Sequence, residues 1–426
     1  MHQFGFIRLC AATPPCRVAN PRANAAAILA QYREAAQNGA ALAVFPELCL
    51  TGYTCGDLFH QQRLLDGALE GLQTILAGTG DLATLALVGL PLRRGDHLYN
   101  CAALLQGGRI LGVIPKQHLP NYGEFYEQRH FRPGTPLENG ELTLLGQTVP
   151  FGTDLLFCCQ DLPEFRLGVE LCEDLWAPVP PSAALAQAGA TVIANLSASN
   201  ETVGKADYRR TLIRSHSARL LCAYAYADAG NGESSTDLVF AGHNLIGENG
   251  VLLGESSLFS QGLTYGDCDL GLLAHERMRM HTFAPPAQAF RAIPFTLAME
   301  GPPHLAYRQV SPQPFLPHGQ QAQALRCEQI LAMQAQGLAK RVAHTRAKRH
   351  FRRPGFLPGP AGERPGPIPA PAPRPGRPGH YHALLRHHQP HPQQCPDPLP
   401  SPGHGFPLHR HRPRCAPAFP GHRPGL

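Results

Sequence analysis

The chain contains 426 residues with a formal net charge of +6 at pH 7, and 43% of the residues are hydrophobic. This length suffices for two domains and a large buried core. The charge is uneven, because residues 351–426 hold ten arginines, nine histidines and two acids, a formal +8, which leaves about −2 for residues 1–350. A nucleic-acid binder needs basic residues ordered on one face of a folded domain. The excess positive charge lies outside residues 1–350, so we expect no nucleic-acid partner.

The thirteen cysteines are odd in number, scattered along the chain and never spaced as CxxC. The sequence also shows no apolar segment of signal-peptide type at its start and no apolar run of about 18 residues. These features predict a reduced, cytoplasmic protein with no membrane contact and no bound metal.

Short β-rich runs alternate with helix-like segments from residue 4 to about residue 269. "FGFIRLCAAT" predicts a strand, "ANAAAILAQYREAAQNGA" predicts a helix that ends near Gly39, and "ALAVFPELCL" predicts a second, buried strand. Such alternation is typical of a layered α/β domain, which we place at residues 1–274.

The remainder of the chain divides into three segments. Residues 275–316 are rich in Pro, Phe and Arg and weakly periodic, which predicts a linker, whereas residues 317–346 predict an amphipathic helix. Residues 347–426 hold 21 of the 43 prolines and too little apolar content to offset the entropy of ordering. We therefore expect a disordered Pro/Arg/His-rich tail.

A reactive or charged side chain follows each of three predicted strands: Glu47, Lys116 and Cys172. Taken singly, Cys172 could be a packed thiol, and the two charges could be paired structural groups. Together, the three groups can carry out one reaction. A glutamate can accept the thiol proton, and an ammonium can stabilise the oxyanion that forms when the thiolate attacks a carbonyl carbon. The constellation predicts covalent amide hydrolysis with release of ammonia.

The motifs "FPELCLTGY", "PKQHLPNYGEFYEQRHFRPG" and "GVELCEDLW" occur in this order and resemble the nitrilase superfamily of carbon-nitrogen hydrolases. Within it they are similar to the glutaminase domain of glutamine-dependent NAD synthetases, over residues 4 to about 345. The resemblance implies an α/β fold, the nitrilase-type α-β-β-α four-layer sandwich. It implies Glu47 as proton acceptor, Lys116 as oxyanion-stabilising cation, Cys172 as nucleophile and Glu127 as a supporting glutamate, for which pairing with Lys116 is the structural alternative.

The resemblance also implies a glutamine-binding set, for which ordinary polar loop roles are the alternative: Tyr53, Tyr122, Glu173, Ser199 and Lys205. One position departs from the pattern, since several relatives have arginine where Lys205 stands. A lysine offers a point charge in place of a bidentate fork, which predicts looser recognition of the substrate carboxylate.

The reaction implied by the resemblance has two halves. Glutamine hydrolysis, which needs no cofactor, supplies ammonia for the amidation of nicotinate adenine dinucleotide with ATP and Mg²⁺. Glutamine, nicotinate adenine dinucleotide and ATP are therefore the implied ligands, and the relatives imply a homo-oligomer.

The synthetase half has no counterpart in the printed residues. Its phosphate loop, Ser-Gly-Gly-x-Asp-Ser, is absent, and the proline-rich tail begins about where that loop is due. The codons for His380 to Asp397, read one nucleotide later, permit a Thr- and Asn-rich string that resembles a synthetase segment, and Gly355 to Pro367 permit a partial echo of the loop. We expect the tail to be a frameshifted translation, so that this chain retains only the glutaminase half.

Two other functions compete with this interpretation. The first is a stand-alone amidase or nitrilase that acts on another small amide. The second is a non-catalytic interaction protein with a basic tail, which would form a salt-sensitive complex that persists without Cys172.

Overall fold

The computed structural model describes residues 4–235, 237–298, 304–317 and 319–346, so the predicted disordered, frameshifted tail lies outside the described residues. The strands are β1 (Phe6–Thr13), β2 (Leu42–Val44), β3 (Leu85–Arg94), β4 (His97–Gln106), β5 (Arg109–Pro115), β6 (Gly140–Leu144), β7 (Gln147–Phe151), β8 (Leu155–Cys159), β9 (Arg166–Leu171), β10 (Val192–Ser197), β11 (Ala223–Asp228), β12 (Leu245–Glu248), β13 (Val251–Glu255), β14 (Gly262–Asp269) and β15 (Arg291–Phe295). The helices are α1 (Pro21–Gln37), α2 (Gln62–Ala77), α3 (Glu173–Trp176), α4 (Pro181–Gln187), α5 (Lys205–Leu220), α6 (Leu270–Arg279) and α7 (Gln320–Thr345).

The strands form two mixed sheets. The first has the order β14-β1-β2-β3-β4-β5-β7-β6, and the second has the order β13-β12-β11-β10-β9-β8-β15. Parallel pairing joins β1, β2 and β3 in the first sheet and β9, β10 and β11 in the second. The carboxyl ends of each set therefore lie along one edge of its sheet.

Three apolar cores divide this body into four layers. In β1, Ile7 and Leu9 face the core between the two sheets, whereas Cys10 faces the core between the first sheet and helices α1 and α2. A third core, with Leu185 of α4 and Ile213 of α5, lies between the second sheet and its helices. This is an α-β-β-α arrangement in which both faces of each central strand are buried, and that burial explains the continuous apolar runs in the sequence.

The segment from 275 to 316 differs from the predicted linker. Helix α6 crosses the predicted boundary at 274, and β15 pairs in parallel with β8 at the edge of the second sheet. Arg291 of β15 anchors the strand through two bonds of 2.8 and 2.7 Å to Asp154. The strand is short and carries Pro294, which only an edge position tolerates, so its sequence signal was weak.

Residues up to Glu328 form one compact unit. Helix α7 agrees with the predicted helix at 317–346, and most of its side chains are exposed. No helix among the described residues has both the length and the apolar content needed to cross a membrane.

Candidate active site

Glu47 stands in the turn that follows β2. The turn is tight, with Leu48 at φ 51°, and the Glu47 N–H donates to the Ser197 carbonyl across to the second sheet at 3.3 Å. The backbone of this turn lies against Gly89 of β3, where an added Cβ would come within 2.4 Å of the Leu48 nitrogen. Glycine at 89 is thus required for the close approach that buries the Glu47 side chain completely.

Lys116 follows β5, and its side chain is completely buried. Its Nζ donates to Glu47 Oε1 at 2.6 Å and to Glu127 Oε1 at 2.7 Å. The backbone is held as well, because the Lys116 N–H donates to the Asn100 carbonyl at 2.8 Å and the Gly134 N–H donates to the Lys116 carbonyl at 2.7 Å. The ammonium is therefore fixed between two carboxylates, a cluster with a formal charge of −1.

Cys172 follows β9 and has a left-handed backbone, with φ 42° and ψ −99°, at the first turn of α3. Such a conformation is strained for a residue with a Cβ. The Cys172 N–H is held by the Leu196 carbonyl at 2.9 Å and by Asn195 Oδ1 at 3.1 Å, both on the neighbouring β10. The thiol lies near Glu47 and Lys116, whose charges both act on its pKa.

The charges in this cluster shape its proton chemistry. Burial raises the pKa of the Cys172 thiol well above its ordinary value, and the Glu47 carboxylate adds to that shift while Lys116 opposes it. Burial alone would lower the pKa of Lys116, but the carboxylates of Glu127 and Glu47 hold it well above its ordinary value. The resting site therefore pairs a protonated thiol with a charged ammonium, and the thiol needs a base before it can attack.

Glu47 has one oxygen available for that role. Its Oε1 accepts from Lys116 and from the Asn100 amide at 2.6 Å. Its Oε2 is buried and has no hydrogen-bond partner among the described residues. A buried carboxylate oxygen without a partner is costly, so this atom is poised to accept a proton.

Glu127 and Tyr53 complete the hydrogen bonds around Lys116. Glu127 lies in a single helical turn and accepts from both Lys116 and the Tyr53 hydroxyl, the latter at 2.8 Å. Burial raises the pKa of the Glu127 carboxyl, although Lys116 opposes that shift. Tyr53, predicted to bind substrate, directs its hydroxyl to Glu127. Its role in binding glutamine stays a prediction.

The other four predicted substrate-binding residues line one groove with Cys172, and they are Tyr122, Glu173, Ser199 and Lys205. The Tyr122 hydroxyl donates to Glu173 at 2.8 Å. Lys205 lies at the first turn of α5 and its Nζ stands 5.3 Å from the ring centre of Trp176. The groove therefore presents an ammonium and a carboxylate near the thiol, a pattern that fits a zwitterionic ligand. The individual roles of these residues stay predictions.

Asp174, to which the sequence assigns no role, binds three backbone N–H groups. Its Oδ2 accepts from the Leu171 N–H at 3.0 Å, and its Oδ1 accepts from the N–H groups of Gln117 and His118 at 3.2 and 2.7 Å. The carboxyl group therefore ties the cysteine turn to the chain that follows Lys116. Contacts between residues more than 50 positions apart leave no local sequence signal, so Asp174, like Asn100, could not be identified in advance.

One group of side chains in the described part of the chain has metal-ligand spacing. Atoms of Asp57, His60 and His130 lie within 4.8 Å of one another, outside the groove. Both carboxylate oxygens of Asp57 already accept from Arg129, at 2.7 and 2.8 Å. The guanidinium therefore competes with any cation for this carboxylate.

The fold and the cysteine, lysine and glutamate cluster define a class of enzyme, and comparison with known proteins agrees. The family model described as carbon-nitrogen hydrolase matches residues 7–277. The chain belongs to the carbon-nitrogen hydrolase family. The nitrilase-type fold expected from the sequence motifs is thereby confirmed.

The chain is similar to proteins named glutamine-dependent NAD(+) synthetase. That of Mycobacterium tuberculosis (strain ATCC 25618 / H37Rv) is 45% identical over 350 residues, 80% of this chain and 51% of the relative. That of Mycobacterium leprae (strain TN) is 42% identical over 347 residues, 79% of this chain and 51% of the relative. The crystal structure of a glutamine-dependent NAD(+) synthetase from Cytophaga hutchinsonii is similar with a TM-score of 0.55 and 29% identity, covering 62% of this chain and 43% of that one.

These similarities confirm the resemblance seen in the sequence motifs. The chain spans about half the length of the curated relatives it matches. The residues that the family model matches, 7–277, include the whole cluster around Cys172.

Proposed function

We propose that this chain hydrolyses the side-chain amide of glutamine to glutamate and ammonia. The observation that carries the proposal is the Lys116 ammonium, held at 2.6 and 2.7 Å between Glu47 and Glu127 in the region of the Cys172 thiol. Three groups in this arrangement supply a base, a fixed cation and a nucleophile, which are the parts that covalent amide hydrolysis needs.

The first half of the reaction forms a thioester. Glu47 Oε2 accepts the thiol proton as the Cys172 sulfur bonds to the amide carbon, and the carbonyl oxygen becomes an oxyanion that the Lys116 ammonium stabilises. The tetrahedral intermediate then collapses, its C–N bond breaks, and the proton held by Glu47 passes to the departing nitrogen. Ammonia leaves, and the acyl group remains on sulfur.

The second half returns the free enzyme. Glu47 takes a proton from a water molecule, whose oxygen attacks the thioester carbon, and Lys116 stabilises the second oxyanion. The C–S bond breaks, the thiolate takes back the proton held by Glu47, and the new carboxyl group loses its own proton to solvent as glutamate leaves. Lys116 must keep its charge throughout, and its raised pKa satisfies that requirement.

The groove supports glutamine as the substrate. Lys205 supplies a cation for the α-carboxylate, and Glu173 supplies a carboxylate for the α-ammonium. Ser199 and Tyr122 line the same groove and offer hydroxyl groups.

In the wider proposal, the ammonia serves a glutamine-dependent NAD(+) synthetase reaction, the name carried by the relatives. Amidation of nicotinate adenine dinucleotide with ATP and Mg²⁺ would require a synthetase domain, and the frameshift hypothesis places that domain outside the printed reading frame. The glutaminase step needs no cofactor. We further propose a homo-oligomer, as the family resemblance implies. We also propose a cytoplasmic location, in keeping with the eleven free cysteines among the described residues.

Ammonia release from glutamine, measured beside a panel of other ω-amides, tests the proposal. Cys172→Ala should abolish release, and Glu47→Gln should lower kcat by roughly 10²–10⁴-fold while Cys172 remains open to alkylation. Cys158→Ala, at a partly buried thiol on β8, serves as the matched control and should keep full activity. A clear preference for another amide would favour the stand-alone amidase, and no amide hydrolysis at all would contradict the proposal.

A further inference from the structure

Asn200 lies between the end of β10 and the start of α5, and it lines the groove that holds Cys172. Its residue is only 5% exposed, and a β-bridge to Phe240 fixes its backbone. None of the roles assigned above involves this side chain. A buried side-chain amide is ordinarily hydrogen-bonded, so its partners fix its orientation.

The two ends of the Asn200 amide contact groups of opposite charge. Its Nδ2 donates to Glu124 Oε1, and its Oδ1 accepts from Lys205 Nζ. An ammonium cannot accept a hydrogen bond and an ionised carboxylate cannot donate one. The two partners therefore allow only one orientation of the amide.

The contacts of Lys205 leave its charge unpaired. Its ammonium is held by the neutral Asn200 oxygen and stands 5.3 Å from the Trp176 ring centre. Among the described residues, no carboxylate oxygen forms an ion pair with it within the 4.0 Å that defines the other salt bridges. An ammonium held by a neutral acceptor and a ring face keeps its charge for a ligand carboxylate.

Glu124 is the group from which Lys205 must be kept apart. It stands in the loop between Pro120 and Phe125 and lines the same groove. If Asn200 were absent, the Glu124 carboxylate and the Lys205 ammonium would face each other with no spacer and could pair. The amide satisfies both charges and prevents them from cancelling.

We propose that Asn200 is a positioning residue that makes the groove select amides bearing a carboxylate. It does so by holding the Lys205 ammonium in place and by separating it from Glu124. This inference deepens the glutaminase proposal and rests on it for the identity of the substrate. The attraction between the Lys205 ammonium and an anion near Cys172 does not depend on the identity of the substrate. It should therefore act on any anionic reagent that reaches the thiol.

The substitution Asn200→Asp removes the amide donor and adds a charge with almost no change in shape. The new carboxylate would pair with Lys205 and repel Glu124, so the α-carboxylate of glutamine would lose its partner. We expect KM for glutamine to rise about ten- to a hundredfold, while kcat changes by less than about threefold, because hydrogen bonds to charged groups have this strength. For 4-aminobutanamide, which is glutamine without its carboxylate, kcat/KM should be nearly unchanged.

Asn121→Asp is the matched control, because it adds the same charge at an exposed position in the same loop. It should leave the ratio of the two kcat/KM values as in the parent. Asn200→Asp should lower that ratio, and Lys205→Ala should lower it to a similar level. Equal losses on both amides in Asn200→Asp would show a merely structural role and overturn the inference.

A second measurement does not depend on turnover. The rates at which iodoacetate and iodoacetamide alkylate Cys172, followed by mass spectrometry of its peptide, compare an anionic with a neutral reagent. Asn200→Asp should lower the iodoacetate-to-iodoacetamide ratio about tenfold or more relative to Asn121→Asp. An unchanged ratio would overturn the inference even if the parent proved not to hydrolyse glutamine, whereas a lowered ratio with an inactive parent would overturn the glutaminase proposal alone.

Discussion

At the scale of single residues, the Tyr53 hydroxyl shows how a site residue and a supporting residue differ. The hydroxyl donates to Glu127 Oε1, the same atom that accepts from Lys116. Through this hydrogen bond Tyr53 supports the carboxylate that holds Lys116. A role in glutamine binding predicts that loss of the hydroxyl raises KM, whereas this contact with Glu127 predicts that it lowers kcat.

Replacing Tyr53 with phenylalanine removes only the hydroxyl and its hydrogen bond to Glu127. Because a buried carboxylate loses a partner, Lys116 should be less firmly held, and we expect kcat for ammonia release to fall by about five- to a hundredfold. KM for glutamine should stay within about twofold, because the lost hydrogen bond is not made to the substrate. A rise in KM at constant kcat would instead place Tyr53 in the substrate site.

The residues that carry the proposed chemistry were accessible from sequence for a local reason. Glu47, Lys116 and Cys172 each follow an apolar run, and a polar group at that point in a layered α/β domain is conspicuous. Asn100, Asp174 and Asn200 were not identified, because their partners lie on other elements and nothing in the neighbouring residues marks them.

At the scale of elements, the Glu47 turn depends on the strand beneath it. A Cβ on Gly89 of β3 would come within 2.4 Å of the Leu48 nitrogen, 2.5 Å of the Pro46 oxygen and 2.9 Å of the Glu47 carbonyl carbon. All three are backbone atoms, so no side-chain rotation relieves the overlap. The strand therefore sets the position of the base.

Gly89→Ala should displace the Glu47 turn and separate the carboxylate from the thiol. We expect kcat to fall by at least about 10²-fold, as a shift of about 1 Å in a catalytic group does, and the free energy of unfolding to fall by about 1–3 kcal/mol. Activity assays and urea unfolding measure the two effects. Gly80→Ala, where a Cβ meets nothing within 4 Å, is the control, and equal behaviour of the two variants would contradict this account.

A buried histidine links α4 to α5. His216 accepts from Arg219 through Nδ1 at 3.1 Å, so its Nε2–H is the donor to Ser182 Oγ at 2.7 Å. Burial lowers the pKa of His216 to about 4, and the Arg219 charge adds to that effect. Its neutral form is therefore the one that the fold accommodates.

This lowered pKa predicts a loss of stability in mild acid. Between about pH 6.5 and pH 4 the unfolded chain binds a proton at His216 that the folded chain does not, so the free energy of unfolding falls as the pH falls through this window. From about pH 7 to pH 5 the parent should lose about 2 kcal/mol more than His216→Gln, which has no such proton to bind. Urea titrations at the two pH values measure this difference, and identical losses would refute the assignment.

The alternation of strands and helices along the whole chain predicts a layered α/β domain, but it does not show that the strands divide between two sheets. That division appears only in the pairing, where β14 joins β1 and β15 joins β8 across more than 130 residues. The four-layer arrangement was expected from family resemblance. Periodicity is a local property, whereas the choice of neighbouring strand is not.

The last strand of the second sheet provides a test of where the body ends. Phe295 of β15 packs edge-on against Phe165, with ring centres 5.4 Å apart, and Arg291 pairs with Asp154. A chain that ends at Arg346 keeps these contacts and every residue of the proposed site, so we expect unchanged kcat/KM for ammonia release.

A chain that ends at Phe290 lacks β15 and serves as the comparison. The loss of a buried phenylalanine alone costs about 3–5 kcal/mol, so its thermal midpoint should fall by about 10 °C or more. Thermal unfolding of the two shortened chains measures the difference. Equal midpoints would show that the strand is dispensable, and loss of activity in the longer chain would show that residues 347–426 contribute to the site.

The formal −1 charge of Glu47, Lys116 and Glu127 also affects the end of the reaction. Hydrolysis converts a neutral amide into a carboxylate, and the new anion forms beside two buried carboxylates that share one ammonium. Like charges in a site of low polarity repel strongly. In the proposed reaction, glutamate should therefore bind this site less tightly than glutamine, so that a glutamate inhibition constant well above the KM for glutamine is expected in the ammonia-release assay.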